Sequence, residues 1–159
     1  MSSRSPQPEL LVRRGVDGPG LLARVADPEA GANILFVGTT RRTTAGELTE
    51  GLDYEAHEPM AAAALARLQQ EAAVRFGLTA CALEHRLGWV PVGEASIAVA
   101  LAAPHRREAF AAVEWLMDRI KAEVPIWKCE AGVDGSRRWV HPGDMSGGVT
   151  AGPRGEGPP

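Results

Sequence analysis

The longest uncharged apolar stretch in this chain is short, and its length restricts the fold more than any other feature. It covers residues 95–103 and lies between Gly93 and Pro104. A membrane-spanning helix needs about 20 apolar residues, so this stretch is too short to cross a bilayer. A brief apolar run between glycine and proline is typical of a strand buried on both faces. The sequence therefore predicts a central strand over residues 95–101.

Further strands are indicated by short apolar runs and by alternation. Residues 33–37 form an apolar run that a glycine ends, which predicts a buried strand followed by a loop. Residues 52–56 alternate between apolar and charged side chains, as in a strand with one buried face. Residues 126–130 and 138–140 flank an Asp-Gly turn at 134–135, so we expect a hairpin near the end of the domain.

Two segments have the three- and four-residue apolar spacing of helices. The first begins at Pro59, a residue favoured in a first turn, and ends at Gly77. The second begins near residues 104–106 and ends before Pro125. Strands and helices alternate only partly along the chain. This order predicts a single α+β domain with mostly antiparallel strands and two main helices.

Composition limits both the size of the domain and its partners. The chain has 159 residues, 45% of them hydrophobic, which is enough apolar material for one folded domain. We assign that domain to residues 9–141, with a flexible polar N-terminus at 1–8 and a disordered Gly/Pro-rich tail at 142–159. A formal net charge of −3 argues against nucleic acid or an anionic membrane as a partner. The polar N-terminus is unlike a signal segment, which predicts a cytoplasmic protein.

Metal and thiol chemistry are not expected. The two cysteines, Cys81 and Cys129, cannot form a multi-bridge framework, and no Cys or His cluster has the spacing of a zinc site. His57 and His85 have neither triad nor metal-site spacing, so we interpret both as structural. Trp127 is expected to pack in the fold and to double as a pocket wall.

Three basic residues occupy positions suited to binding an anion. Arg41 follows the first predicted strand, and His105 and Arg106 stand at the start of the second predicted helix. The free N–H groups and partial positive charge of a helix start, together with these side chains, form a receptor for a phosphate or a carboxylate. The alternative is a helix start whose cations only face water, and spacing alone favours that alternative.

Two lysines flank a rigid apolar bend. Lys121 and Lys128 lie seven positions apart on either side of residues 124–127, which include a proline. The bend could direct both ammonium groups into one pocket, where each lowers the proton affinity of the other, so that one lysine acts as acid, base or nucleophile. The alternative is one lysine at a helix C-terminus and another exposed on a strand. The residues alone favour the alternative.

Several short blocks follow one another in a specific order. They are FVGTTR at 36–41, YEAH at 54–57, PM at 59–60, HRLG at 85–88, GEAS at 93–96, HR at 105–106 and KAEVPIWK at 121–128. Each block alone is a weak signal. In this order, over about residues 29–141, they closely resemble the large, catalytic subunit family of molybdopterin synthase.

The resemblance implies an α/β-hammerhead-like large subunit that dimerises, with a small ubiquitin-like sulfur-carrier subunit at each end of the pair. The C-terminal Gly-Gly thiocarboxylate of the carrier would deliver two sulfurs to cyclic pyranopterin monophosphate, forming the dithiolene of molybdopterin. The chain has no such carrier domain, so the partner is expected to be a separate protein. No cofactor is implied.

Matched by position, Lys121 and Lys128 correspond to the two essential lysines of the family, and Arg41, His105 and Arg106 to its substrate-anion pocket. The resemblance implies that Lys121 lies at the carrier terminus as an acid–base or covalent-contact residue. Lys128 would stabilise charge or move protons as sulfur adds. The division of roles between the two lysines stays open at this point.

Two other functions remain open on the sequence. One is a non-catalytic dimeric scaffold that binds a ubiquitin-like sulfur carrier. The other is an enzyme acting on a phosphorylated ligand, with Lys121 as a Schiff-base nucleophile.

Overall fold

The computed structural model describes residues 9–140, a part of the chain that forms three helices and nine strands. The predicted flexible N-terminus at 1–8 lies outside the described residues, and so do His141 and the predicted tail at 142–159. In chain order the elements are β1 (Leu11–Val12), α1 (Gly18–Arg24), β2 (Ala32–Thr39), β3 (Thr43–Thr44), β4 (Glu47–Ala56), α2 (Glu58–Phe76), β5 (Ala80–Arg86), β6 (Gly88–Pro91), β7 (Ala95–Ala103), α3 (Arg106–Glu123), β8 (Ile126–Gly132) and β9 (Arg137–Val140).

The first sheet has four strands in the order β1-β5-β7-β2, and β7 pairs antiparallel with a neighbour on each side. Val99 and Leu101 of this strand face a core that includes residues of α2 and α3, whereas Ala98 and Ala100 face a second core around α1. Because both faces of β7 are covered, the strand is apolar at nearly every position. The central strand predicted from the apolar run is confirmed.

The two long helices contribute one apolar stripe each to the first core. Leu65 and Leu68 of α2 and Leu116 and Ile120 of α3 are buried there, at the three- and four-residue spacing of amphipathic helices. Gly77 caps α2 with a φ of 61°, a left-handed conformation that costs glycine little. Both helices lie within about two residues of the predicted boundaries.

The second sheet has the order β3-β4-β8-β9, and β6 also pairs with β4. Its last two strands form the predicted hairpin. Strand β4 pairs with β8 so that Tyr54 stands opposite Lys128 and Leu52 stands opposite Glu130. Residues directly opposite each other in an antiparallel pair point to the same face of the sheet. This register therefore gathers four side chains on one face.

The N-terminal part of the domain, which the sequence patterns did not predict, is held by one buried carboxylate. Arg14 makes two hydrogen bonds to Glu84 at 3.0 and 3.1 Å, and the backbone N–H of Asp17 donates a third at 3.1 Å. Leu11 of β1 pairs parallel with His85. These contacts fix β1 and α1 beside β5.

The predicted α+β fold, an α/β-hammerhead-like domain with mostly antiparallel strands and two main helices, is confirmed. Within residues 9–140 the parallel pair is β1 with β5, and α1 is an additional short helix. None of the helices in this described range has the length and apolar character needed to cross a membrane.

Candidate active site

A cavity of about 270 Å³ lies where the two sheets meet the C-terminal half of α3. Its lining comes from the end of β2 and the residues after it, from β4, β5 and β7, and from the segment that joins α3 to β8. Apolar side chains such as Phe36, Ile97 and Ile120 form part of the surface. The polar side chains include a cationic group, a neutral cluster and the carboxylate of Glu130.

Arg41, Lys121 and Lys128 line this cavity together and form the cationic group. Arg41 is exposed just beyond β2, and Lys121 is exposed in the last turn of α3. Val124 ends α3 in an extended conformation, with φ −80° and ψ 126°, and so turns the chain into β8, where Lys128 lies half-buried. The bend predicted between the lysines therefore does direct both toward one cavity.

Lys128 is the most perturbed of the three cations. Its Nζ lies 3.8 Å from Oε1 of Glu130, and Arg138 contacts the other oxygen of that carboxylate at 2.6 Å. Burial lowers the pKa of the Lys128 ammonium below its ordinary value, Glu130 partly opposes this, and Lys121 and Arg41 lower the pKa further. An ammonium group in this setting releases a proton more readily than one in water, and a larger fraction of the side chain is neutral amine.

The neutral cluster consists of Thr40, Tyr54, His85 and Ser96, all of which line the same cavity. The Tyr54 and His85 rings meet edge to face, with 5.1 Å between centroids, and the Ser96 hydroxyl donates to the Gly38 carbonyl at 3.4 Å. Burial raises the pKa of Tyr54 and lowers the pKa of His85 to about 4. Both side chains are therefore uncharged at neutral pH.

His85 has a fixed tautomer. Its Nδ1 lies 2.9 Å from the carbonyl oxygen of Arg86, and a carbonyl oxygen can only accept a hydrogen bond. Nδ1 therefore carries the proton, and Nε2 of the neutral ring is an acceptor. No hydrogen bond to this Nε2 is found within residues 9–140. The structural role expected for His85 therefore accounts for Nδ1, which is hydrogen-bonded within the protein, but not for Nε2.

His105 and Arg106 do not line the cavity. Both are exposed at the start of α3, whereas Lys121 is in its last turn. The helix between Arg106 and Lys121 is about 22 Å long at a rise of 1.5 Å per residue. One copy of the chain therefore brings Arg41, Lys121 and Lys128 together but leaves His105 and Arg106 far from them.

Sequence patterns missed the neutral cluster and misplaced one aromatic residue. Trp127 was expected to double as a pocket wall, but its neighbours Ile126 and Lys128 line the cavity instead. Successive side chains of a strand point to opposite faces, which explains the difference. Tyr54 and His85 lie in the YEAH and HRLG blocks, so the blocks carried a signal for the cavity that periodicity alone did not.

No group of three or more His, Cys, Asp or Glu side chains in the described residues is arranged to hold a metal ion. Cys81 and Cys129 are both free thiols, and burial raises the pKa of Cys81 to about 12. The cavity offers cations and hydrogen-bonding side chains as its chemical groups.

The α+β domain, with a cavity lined by three cationic side chains, has the architecture and charge of the class of proteins that bind small anionic ligands. Comparison with known proteins narrows this class. The chain matches the family described as MoaE protein over residues 15–123, and it belongs to that family.

Individual relatives agree with the family match. The chain is 45% identical over 118 residues to a molybdopterin synthase catalytic subunit of Emericella nidulans, covering 74% of this chain but 60% of that protein. It is 38% identical over 130 residues to the molybdopterin synthase catalytic subunit of Bacillus subtilis, covering 82% of each. The crystal structure of molybdopterin synthase from Staphylococcus aureus aligns with a TM-score of 0.78 and 32% identity, over 83% of this chain and 96% of that one. The resemblance inferred from the ordered blocks is confirmed.

Proposed function

We propose that this chain is the catalytic subunit of a molybdopterin synthase. It transfers sulfur from the C-terminal thiocarboxylate of a small ubiquitin-like carrier to cyclic pyranopterin monophosphate, which becomes the dithiolene of molybdopterin. The observation that carries this proposal is the convergence of Arg41, Lys121 and Lys128 on one cavity. Relatives named as catalytic subunits of this enzyme support the choice of reaction.

The charge of the cavity suits the two reactants. The carrier terminus and the pterin phosphate are both anionic, so bringing them together is opposed by their mutual repulsion. Three cations around a partly desolvated cavity offset this repulsion more effectively than water does. Holding both reactants in one place also removes much of the entropic barrier to their encounter.

The two lysines differ in a way that favours different roles. Lys121 is exposed at the end of α3 and is accessible to a chain terminus entering from outside. We assign it to the carrier terminus, as an acid–base or covalent-contact residue. Lys128 is half-buried and has a lowered pKa. We assign it to charge stabilisation and proton movement as sulfur adds.

His105 and Arg106 belong to the substrate-anion pocket only if another copy of the chain supplies them, because the length of α3 separates them from Lys121 in one copy. We therefore propose a symmetric dimer in which the start of α3 from one protomer completes the cavity of its partner. In a dimer with twofold symmetry such a contribution is reciprocal, so both cavities are completed alike.

The remaining expectations form part of the same proposal. The sulfur carrier is a separate small protein, and the reaction needs no metal or redox cofactor, because it depends on proximity and charge placement. We also propose a cytoplasmic location, which is compatible with two free cysteines.

The test is reconstitution with the full chain, a thiocarboxylated carrier and cyclic pyranopterin monophosphate, with the product followed by mass spectrometry. We expect the pterin to gain two sulfurs. A carrier that binds without any conversion of the pterin would favour the scaffold function instead. Borohydride trapping of a carbonyl ligand on Lys121, with no sulfur transfer, would favour the Schiff-base enzyme.

A further inference from the structure

The neutral cluster of the cavity has hydrogen-bonding capacity that the protein itself leaves unused. Thr40 is only 4% exposed, yet its Oγ1 has no hydrogen-bond partner in the part of the chain that the structure describes. Nε2 of His85, on the same cavity, is likewise an acceptor without a partner within residues 9–140. A buried polar atom without a partner is costly, so Oγ1 of Thr40 points to a ligand that satisfies it, and the acceptor of His85 on the same cavity is a second group that such a ligand can use.

The His85 position of the cluster is unsuited to a phosphate or a carboxylate. Nε2 of His85 is an acceptor, because Nδ1 donates to the Arg86 carbonyl. An anion would place the lone pairs of its oxygen atoms against the lone pair of Nε2, and the two would repel each other. The lowered pKa of His85 keeps the ring neutral, so it does not turn into a donor at neutral pH. A group that carries an N–H and no charge fits this position.

The backbone around the cluster is already paired, which argues against an extended peptide as the occupant. The N–H of Thr40 donates to Glu94, and its carbonyl accepts from Gly93, both at 2.9 Å. Strands β5, β7 and β4, which carry the other cluster residues, each have a neighbouring strand on both sides. Extended peptides usually bind through free main-chain groups. This part of the cavity offers side chains only.

The surroundings of the cluster suit a planar ring. Phe36 and Ile97 line the cavity together with the neutral cluster, and the edge-to-face pair of Tyr54 and His85 adds aromatic surface. Apolar and aromatic walls with a few placed polar atoms are the usual environment of a heterocycle. The cationic group adjoins the neutral cluster, since Arg41 follows Thr40 and Lys128 stands opposite Tyr54, so it can take the charged part of the same ligand.

We propose that the neutral cluster is the specificity subsite for the uncharged heterocycle of the substrate, with Nε2 of His85 accepting a hydrogen bond from a ring N–H and Oγ1 of Thr40 making a second polar contact. This inference rests on the proposed function, because it divides one phosphorylated pterin between two parts of the cavity. Arg41, with His105 and Arg106 supplied by the second protomer of the proposed dimer, binds the phosphate, and the neutral cluster distinguishes the pterin from other phosphorylated compounds.

Two pairs of substitutions test the subsite. His85→Asn keeps a side-chain N–H near the Nδ1 position and removes the Nε2 acceptor, whereas His85→Gln restores an acceptor near Nε2. Thr40→Val removes the hydroxyl at almost constant shape, and Thr40→Ser keeps it. Thr79→Val is the matched control, because Oγ1 of Thr79 is also buried without a partner within residues 9–140 but does not line the cavity.

The measurement is the dissociation constant of the full chain for three probes: cyclic pyranopterin monophosphate, a reduced pterin without phosphate, and inorganic phosphate. We expect His85→Asn and Thr40→Val each to weaken the binding of both pterins roughly tenfold, which corresponds to the loss of one hydrogen bond. Phosphate binding should be unchanged. Gln at 85 and Ser at 40 should recover most of the affinity, and the Thr79 variant should match the wild type. Thr40→Val should fold at least as stably as the wild type, because it removes an unsatisfied buried hydroxyl.

Three results would overturn the subsite. One is unchanged pterin affinity in Thr40→Val, which decides the matter even if the His85 variants do not fold. Another is an equal loss of phosphate and pterin affinity. The third is weaker binding of a carrier-tail peptide ending in Gly-Gly with pterin binding intact, which would assign the cluster to the tail. If the wild type transfers sulfur and these variants bind pterin normally, the subsite alone is contradicted. If the wild type binds pterin but transfers no sulfur, the proposed function alone is contradicted.

Discussion

Lys128 and Glu130 occupy alternate positions of β8, and Nζ of the lysine lies 3.8 Å from Oε1 of the carboxylate. Their side chains leave the same face of the strand and line the same cavity. The carboxylate is shared with Arg138, which contacts it at 2.6 Å. Glu130 thus holds Lys128 in position. It also raises the pKa of the Lys128 ammonium group, whereas burial lowers that pKa.

This pair predicts how the pKa of Lys128 responds to substitution. Glu130→Gln removes the group that raises this pKa, so the value should fall further, whereas Lys121→Gln removes a repelling cation and should raise it. Titration of isotope-labelled lysine side chains by NMR measures both changes. Glu114→Gln, a change at an exposed residue of α3 that does not line the cavity, should leave the pKa unchanged. An unaltered pKa in Glu130→Gln would refute the electrostatic description of Lys128.

His85 predicts a specific loss of stability in acid. Its pKa is about 4 in the folded protein, below the ordinary value of 6.5, so the unfolded chain binds the extra proton first. Stability that is fully present above about pH 6.5 is therefore lost as the pH falls toward 4, by about 3 kcal/mol in all. Urea unfolding of the wild type and of His85→Gln at pH 7 and pH 4.5 measures the difference. Equal pH dependence in both proteins would show that burial of His85 has no such effect.

The ion pair of Arg14 with Glu84 is expected to stabilise the N-terminal part of the domain. Arg14→Ala leaves this buried carboxylate without its guanidinium partner and should lower the free energy of unfolding by more than the loss of an exposed ion pair does. Arg13→Ala breaks an ion pair with Glu58 in which both side chains are exposed, so it should cost less than about 1 kcal/mol. Chemical denaturation compares the two. Equal losses would contradict the structural role given to Glu84.

The proposed dimer predicts complementation between two inactive variants. If Arg106 acts in the cavity of the partner protomer, a mixed dimer of Lys121→Ala and Arg106→Ala has one cavity with both changes and one with neither. Random exchange makes half of the dimers mixed, so about a quarter of the wild-type activity should return. Subunit exchange followed by the sulfur-transfer assay measures it. No recovery after demonstrated exchange would confine the function of Arg106 to its own protomer.

Most of the fold could be predicted because the spacing of apolar residues along the chain indicates which segments are helices and which are strands. The stripe of α2 and the doubly buried strand β7 are visible in the sequence, since burial on one or both faces determines residue type at every position. Strands of two residues, such as Leu11–Val12, have no period to detect. They exist because of tertiary contacts, such as those of Glu84, which local patterns do not contain.

Less of the candidate site could be predicted from the residues alone. The positions of Arg41, Lys121 and Lys128 became informative only through the ordered blocks. A cationic side chain that faces solvent and one that binds a ligand cannot be distinguished in the sequence. Tyr54 enters the cavity through its register with Lys128, which depends on how β4 and β8 pair. The distance between Lys121 and Arg106 is fixed by α3, but what completes the cavity depends on another copy of the chain.

Single-turnover sulfur transfer is the decisive measurement for the proposed enzyme, because it reports on the reaction rather than on binding. The full chain is mixed with thiocarboxylated carrier and cyclic pyranopterin monophosphate, and the sulfur gained by the pterin is followed by mass in the wild type, in Lys121→Ala, in Lys128→Ala and in Arg75→Ala, a control outside the cavity. We predict that the wild type and the control add sulfur at the same rate, and that each lysine variant folds but is slower by about a hundredfold or more. Sulfur addition at the wild-type rate in both lysine variants would contradict the account.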